Sequence, residues 1–379
     1  MRSRLPSLTG ARFIGACMVF LYHTIGLFPF ASPHVQRVAR TLVATGGYAR
    51  VTFFFVLSGF VLTWAARPGD TAPATWRRRF LKVYPNHLLT LLAAVILLTG
   101  VGKAAIQGRD LVLNLLLVQS WHPDLFVRNN FNAVAWTLSC EALFYVCFPF
   151  LLKLINQIRP ERLWFWTTLS AASVIALPSL VKLVPGGQRY NGMSFREFWL
   201  VFNFPPTQML SFIFGIFMAK IVLTGQQLPL RVGGAFAVTL FAHFGLTPVV
   251  PPLYRISAVT VIPIGLLIAA AATVDVDRQS TFLGSKPMVW LGNISFAFFV
   301  WHYLVLTYGH RWLGAGENWS TPTALAVMIL LFAVSLALAW ATYTFLEQPV
   351  MKRFANPRRQ RDPAVVTTGP TDNHTEARQ

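Results

Sequence analysis

Apolar residues fall along this chain in long blocks separated by short polar breaks. The blocks lie near 8–30, 44–66, 80–101, 133–155, 163–184, 207–224, 231–250, 256–273, 288–312 and 322–346. As helices rising 1.5 Å per residue, blocks of this size match a hydrocarbon layer about 30 Å thick. The pattern therefore predicts an all-α, polytopic membrane bundle of about ten transmembrane helices. One further apolar stretch, Leu111 to Trp121, is too short to cross and is expected to be interfacial or re-entrant. After Phe354 the chain turns polar, "ANPRRQRDPAVVTTGPTDNHTEARQ". Residues 1–354 are thus expected to form one transmembrane domain and 355–379 a disordered cytoplasmic tail.

Composition excludes a soluble protein, since 55% of the 379 residues are hydrophobic and 12% are charged. The formal net charge of +19 raises nucleic acid as a partner. Lys and Arg, however, cluster between apolar blocks rather than on one soluble face, so nucleic acid is not expected. Their excess lies at the ends sharing a side with the N-terminus, as in Arg77–Arg78–Arg79–Lys82 and Lys352–Arg353. The positive-inside rule then places both termini in the cytoplasm and the chain in the cell membrane. The first block is too long and lacks the small-residue cleavage site of a removable signal peptide, so it is expected to stay as a helix. Cys17, Cys140 and Cys147 form neither a spaced pair nor a metal-ligand pattern, so no disulfide or metal is expected.

Ionisable residues inside the blocks change the picture, because such groups in a membrane helix face an interior cavity and mark function. Arg12 and His23 share the first block, "ARFIGACMVFLYH". Eleven residues amount to three turns plus about 20°, so both leave one face, about 16 Å apart along the axis. Counting rise from the block ends places His23, Glu141 and His302 at one level in the outer half of the bundle. Arg12 falls lower, level with Arg79 and Lys82 in "TWRRRFLKVYPNH". Two layers result. In the outer one, His23 is the candidate general base and Glu141 its orienter, the alternative being a buried pair that fixes helix packing. His302, beside Trp301, either lines the same site or is an interfacial residue. In the inner layer, Arg12, Arg79 and Lys82 suit phosphate recognition, although basic residues at a span end also serve topology alone.

Together "SLTGARFIGACMVFLYH", "VTFFFVLSGFVLTW", "RRRFLKVYP", "AWTLSCEALFYVCFP", "LGNISFAFFVWH" and the closing "TYTFLEQPVMKRF" resemble the integral-membrane acyltransferase-3 family. The opening and the length look most like its actinobacterial branch, which includes macrolide acyltransferases. The resemblance implies a ten-helix membrane domain that acylates hydroxyls of glycans, lipids or secondary metabolites. Arg12 and His23 fall on the family's paired Arg and His. Arg79 and Lys82 fall on a basic pair associated with the acyl-coenzyme A donor, where the family's second position is Arg. Glu141 falls on the glutamate after the family's W-S-L-S stretch, read here as Trp136-Thr137-Leu138-Ser139. Trp136, Ser139 and His302 are expected to touch substrate. The expected activity is transfer of a short acyl group, acetyl above all, from acyl-coenzyme A (acetyl-coenzyme A) to a hydroxyl of a glycan or polyketide acceptor, within the lipid bilayer. The alternative is a proton-coupled transporter, which calls for matching discontinuous helices in two halves; the sequence shows no such symmetry.

Overall fold

The structure is a computed structural model describing residues 4–27, 30–44, 47–103, 105–184, 189–190, 193–314 and 319–355. The tail expected to be disordered lies, from Asn356 on, outside the described residues. Among the described residues eight helices are long and apolar enough to span a membrane, and two shorter apolar helices bring the set to the ten expected. The protein is a multi-pass membrane bundle. Large apolar side chains such as Leu92, Ile96, Phe150, Leu154, Phe165 and Ile329 stay exposed on its flanks, where lipid covers them.

The first helix, α1 (Pro6–Leu27), rises from what is here termed the basal end to the apical end. Its start is tied down by Asp275, whose carboxylate accepts from the Ser7 backbone N–H at 3.0 Å and the Ser7 hydroxyl at 2.6 Å. An acidic group on the orphan N–H groups of a helix start satisfies them and opposes the helix dipole favourably. An amphipathic helix that block-reading missed, α2 (Pro33–Ala44), lies at the apical end. Then α3 (Gly47–Ala65) descends and α4 (Ala72–Gly100) returns. The start of α4 is encoded locally by Thr71, whose hydroxyl accepts from Ala74 N–H, and by Pro73 in the first turn. At 29 residues, about 43 Å, α4 exceeds the hydrocarbon layer by over two turns, so Arg79 comes to lie near its basal boundary.

Between α4 and the next span, α5 (Gly108–Leu115) and α6 (Leu125–Asn129) fold into the apical end of the bundle. Gln119 and Ser120 between them are fully buried. Gln119 donates to Ala135 O at 2.9 Å, and Trp199 Nε1 donates to Ser120 O at 3.0 Å. The stretch Leu111–Trp121, anticipated as interfacial or re-entrant, is thus tucked into the apical end of the bundle. It pushes the helical start of α7 (Trp136–Ile155) below the apical surface, which decides the depth of everything on α7. The remaining spans are α8 (Leu163–Val181), a short apical helix α9 (Phe195–Phe198) leading through a wide turn into α10 (Pro205–Leu223), α11 (Val232–Leu240), α12 (Val261–Val276), α13 (Lys286–Gly314) and α14 (Thr321–Thr342). A two-residue antiparallel pairing, Arg189–Tyr190 with Met193–Ser194, precedes α9.

Two seams hold the bundle together by backbone contact. A Cβ on Gly59 of α3 would stand 2.0 Å from Phe212 O of α10, and one on Gly215 of α10 would stand 2.0 Å from Val56 O of α3. A Cβ on Gly292 of α13 would likewise stand 1.9 Å from Thr9 O of α1. Without a hydrophobic force between helices in lipid, such close approach is how packing energy is gained. The second seam brings α1 and α13, and so His23 and His302, side by side.

Candidate active site

A cavity of about 260 Å³ runs up the middle of the bundle, lined by Arg12, His23, Arg50, Ser58, Arg79, Lys82, Trp136, Glu141, Tyr145, Phe296 and others. At roughly 10–15 Å³ per water it holds on the order of a dozen or more waters, enough to hydrate charged walls. A second cavity of about 370 Å³ lies towards the apical end, lined by Tyr22, His23, Ile25, Gly26, Leu27, Arg40, Val43 and Tyr303. Tyr22 and His23 belong to both.

His23 sits where the two meet, and its ring is held by a defined chain of hydrogen bonds. Its Nδ1 is 3.0 Å from His302 Nε2, and the two rings stack with centroids 5.2 Å apart. His302 Nδ1 is 2.6 Å from Phe299 O. A carbonyl oxygen accepts, so His302 Nδ1 carries the hydrogen and, in the neutral ring, Nε2 offers a lone pair. His23 Nδ1–H then donates to it, and His23 Nε2 is left unprotonated. The arrangement follows the logic of a triad, in which a partner on one nitrogen fixes the tautomer so that the other can act as a base. Tyr303 packs edge-on against the His23 ring, centroids 5.1 Å apart, and restricts it further.

The expected pairing of His23 with Glu141 is therefore corrected: His302 orients the imidazole. Glu141 accepts instead from the Tyr145 hydroxyl at 2.7 Å, with Ser58 hydrogen-bonded to that same hydroxyl. Its charged neighbours are Arg12, Arg79 and Lys82. The reason is depth. Asn132, just before α7, donates to Val300 O at 2.8 Å, placing it two residues basal of His302. Glu141 follows nine residues later on a descending helix, about 14 Å lower at 1.5 Å or slightly more per residue. That is Arg12's level, not His23's. Counting from the block end assumed that α7 starts at the surface, which the tucked-in stretch prevents.

The basal layer does assemble as expected: Arg12, Arg79 and Lys82 line one wall region of the main cavity. A carboxylate the sequence reasoning did not assign joins them. Glu347, 3% exposed, accepts from Asn86 Nδ2 at 3.0 Å and is the leading charged neighbour of Lys82. It ends a wide helical turn, Tyr343–Glu347, that redirects the close of α14 towards α4. The Glu-x-Pro pattern around it was visible in the sequence; its partner on another helix was not. Three cations against two carboxylates leave the layer with about one net positive charge.

Trp136 lines the cavity as expected, whereas the other two residues expected to touch substrate are placed elsewhere. His302 is 0% exposed and stands behind His23, both nitrogens engaged. Ser139 is buried on the side of α7 away from the lining residues, because two positions before Glu141 is nearly half a turn round the helix.

Fold and cavity together define a membrane-embedded bundle in which His23 lies between a cationic layer and an apical chamber. The family model described as an acyltransferase domain, acyltransferase-3, matches residues 5–344, and the chain belongs to that family. It is an acyltransferase, and the transporter alternative is set aside. Its relatives include acyltransferase MdmB of Streptomyces mycarofaciens, 38% identical over 97% of this chain and 96% of that protein. The peptidoglycan O-acetyltransferase OatA of Listeria monocytogenes is 23% identical over 93% of this chain, and O-acetyltransferase OatA of Staphylococcus aureus is 24% identical over 92%. This chain spans little more than half of those two, 56% and 57%. No solved structure matches.

Proposed function

We propose that the protein is an O-acyltransferase that moves a short acyl group, such as acetyl, from acyl-coenzyme A to a hydroxyl of a carbohydrate or macrolide-type natural product. The observation that carries this reading is the span between the two chemical layers of the main cavity. Arg12 and His23 stand eleven residues apart on one face of α1, about 16 Å. A phosphopantetheine arm, thirteen bonds from phosphorus to sulfur, reaches about 15 Å at the length per bond of an extended chain. A phosphate held by Arg12, Arg79 and Lys82 thus delivers the thioester to His23. Guanidinium groups suit this grip through their paired donors, and Lys82 contributes a point charge. With the basal end facing the cytoplasm, donor enters from the compartment that supplies it, and both termini lie on that side.

The acceptor reaches His23 from the apical cavity, where Tyr22 and Tyr303 offer faces for a sugar ring or lactone. His23 Nε2 takes the hydroxyl proton while the oxygen forms a bond to the acyl carbon. The tetrahedral intermediate collapses with cleavage of the carbon–sulfur bond, and the departing thiolate takes the proton back from the imidazolium. His302 accepts from His23 Nδ1 throughout and holds the ring in place. Glu141, bound to Tyr145, offsets charge in the phosphate layer.

The test is thiol release from acetyl-coenzyme A by the full chain in detergent, with macrolides and p-nitrophenyl glycosides as acceptor probes and radiolabelled acetyl to confirm transfer. His23→Ala is expected to abolish transfer and leave the protein folded. Turnover of that variant at the wild-type rate overturns the base assignment.

A further inference from the structure

By its position in the chain, Arg50 counts among the basic residues of the outer side. In the structure it stands near the apical end of α3, 5% exposed, and lines the main cavity. One nitrogen has a structural role, since Nη2 donates to Val43 O at 2.8 Å and so satisfies a carbonyl in the last turn of α2. The guanidinium also lies over the Tyr22 ring, 5.2 Å from its centroid, next in sequence to His23. Its Nε and Nη1 hydrogens are buried and find no partner among the described residues. Its charged and aromatic neighbours are Tyr22, His23 and His243, with no carboxylate among them.

Capping α2 needs one donor, and a lysine or a backbone amide could supply it. It does not account for a buried cation with two idle donors, since an uncompensated buried charge is strongly unfavourable. The other cations lining this cavity, Arg12, Arg79 and Lys82, lie on the basal side with two carboxylates beside them. Arg50 alone among these four stands at the His23 end with none. Such a group is suited to an anion that forms only during a reaction in this cavity.

We propose that Arg50 binds the oxyanion of the tetrahedral intermediate through its free Nε–H and Nη1–H. As the acceptor oxygen bonds to the acyl carbon and its proton passes to His23 Nε2, the carbonyl π pair moves onto oxygen and is met by the guanidinium. When that pair returns, the carbon–sulfur bond breaks and the thiolate recovers the proton. The donors are in place before charge develops, which is how such groups lower a barrier. This rests on the acyl-transfer reading and adds to it the electrophile.

The experiment compares wild type, Arg50→Lys and Arg50→Ala as the full chain in detergent, with acetyl-coenzyme A as donor and a p-nitrophenyl glycoside or macrolide accepted by wild type. Removing such a donor is expected to lower kcat by about 10²–10³-fold with KM for acetyl-coenzyme A little changed. Arg50→Lys should recover part of the rate, and millimolar guanidinium should restore part of the Arg50→Ala rate. A kcat within twofold of wild type in both variants overturns the proposal. So does a loss confined to acceptor KM, which would make Arg50 a binding group for an anionic acceptor. Failure of both variants to fold would assign Arg50 to capping α2 alone and equally overturn it. A wild type that releases no thiol from acetyl-coenzyme A would instead refute the donor reading, so the two failures are distinguishable.

Discussion

Replacing His302 by phenylalanine separates the packing of its ring from its hydrogen bond. Phenylalanine fills nearly the same space among Phe20, Phe298 and Phe299, whose ring centroids lie 6.4, 6.0 and 5.7 Å from that of His302. What is lost is the lone pair that accepts from His23 Nδ1, together with the Nδ1–H donated to Phe299 O. A buried N–H left without an acceptor costs about 1–3 kcal/mol. The His23 ring escapes that cost by carrying its hydrogen on Nε2, the form that cannot act as a base. The competent tautomer then falls by about 5- to 150-fold, taking 1.4 kcal/mol per factor of ten. The expected result is a kcat lower by one to two orders of magnitude. KM for acetyl-coenzyme A should stay unchanged, because the cations that hold the donor are about 16 Å away. His302→Gln should recover much of the rate, its carbonyl accepting from His23 and its amide donating to Phe299 O. Steady-state thiol release and single-turnover acyl transfer measure both parameters. A His302→Phe enzyme within twofold of wild type in kcat would falsify the tautomer argument. Equal impairment of the Gln and Phe variants would show that the ring, not the bond, is what matters.

Three other outcomes follow from the geometry. Arg79→Ala should raise KM for acetyl-coenzyme A at least tenfold and leave single-turnover chemistry at saturating donor near wild type, and a change confined to kcat would count against phosphate binding there. Glu347→Ala strips Asn86 Nδ2 of its side-chain acceptor and Lys82 of its leading counter-charge, and should lower stability in detergent by about 1–3 kcal/mol, read as a fall in thermal midpoint. Glu347→Gln, which keeps the acceptor, should lose clearly less. Gly59→Leu forces α3 and α10 apart where a Cβ already meets Phe212 O at 2.0 Å, so little folded protein should be extractable from membranes; normal yield would mean that the seam is not needed.

The bundle and one half of the site were legible in the sequence for a physical reason. Hydropathy is summed locally, so spans appear wherever lipid must be satisfied, and the Arg12–His23 spacing lies within one helix. Relations between helices were less accessible. Glu141 was placed a layer too high because depth was counted from the end of an apolar block, and nothing in Trp136–Ile155 itself signals that its start is submerged by Gln119 and Ser120. His302 was weighed as lining or interfacial because its partners, His23 and Phe299 O, are set by the crossing of α1 and α13. Glu347 was seen as part of a motif without the cation it balances. Arg50, near the end of the block 44–66, was counted only as a basic residue of the outer side, because its burial beside Tyr22 and Val43 O depends on how α1, α2 and α3 meet.

The bare-glycine seams at Gly59–Gly215 and Gly292 carry a consequence for how this scaffold changes its clientele. With main chain resting on main chain, α1 is locked to α13 and α3 to α10, so His23 and His302 keep their separation whatever occupies the chambers. Ile25, Leu27 and Val43, which shape the apical chamber, take no part in those locks and do not pack on the His23 ring as Tyr303 does. Their side chains can be exchanged to admit a bulkier or a smaller alcohol while the reactive imidazole stays in register.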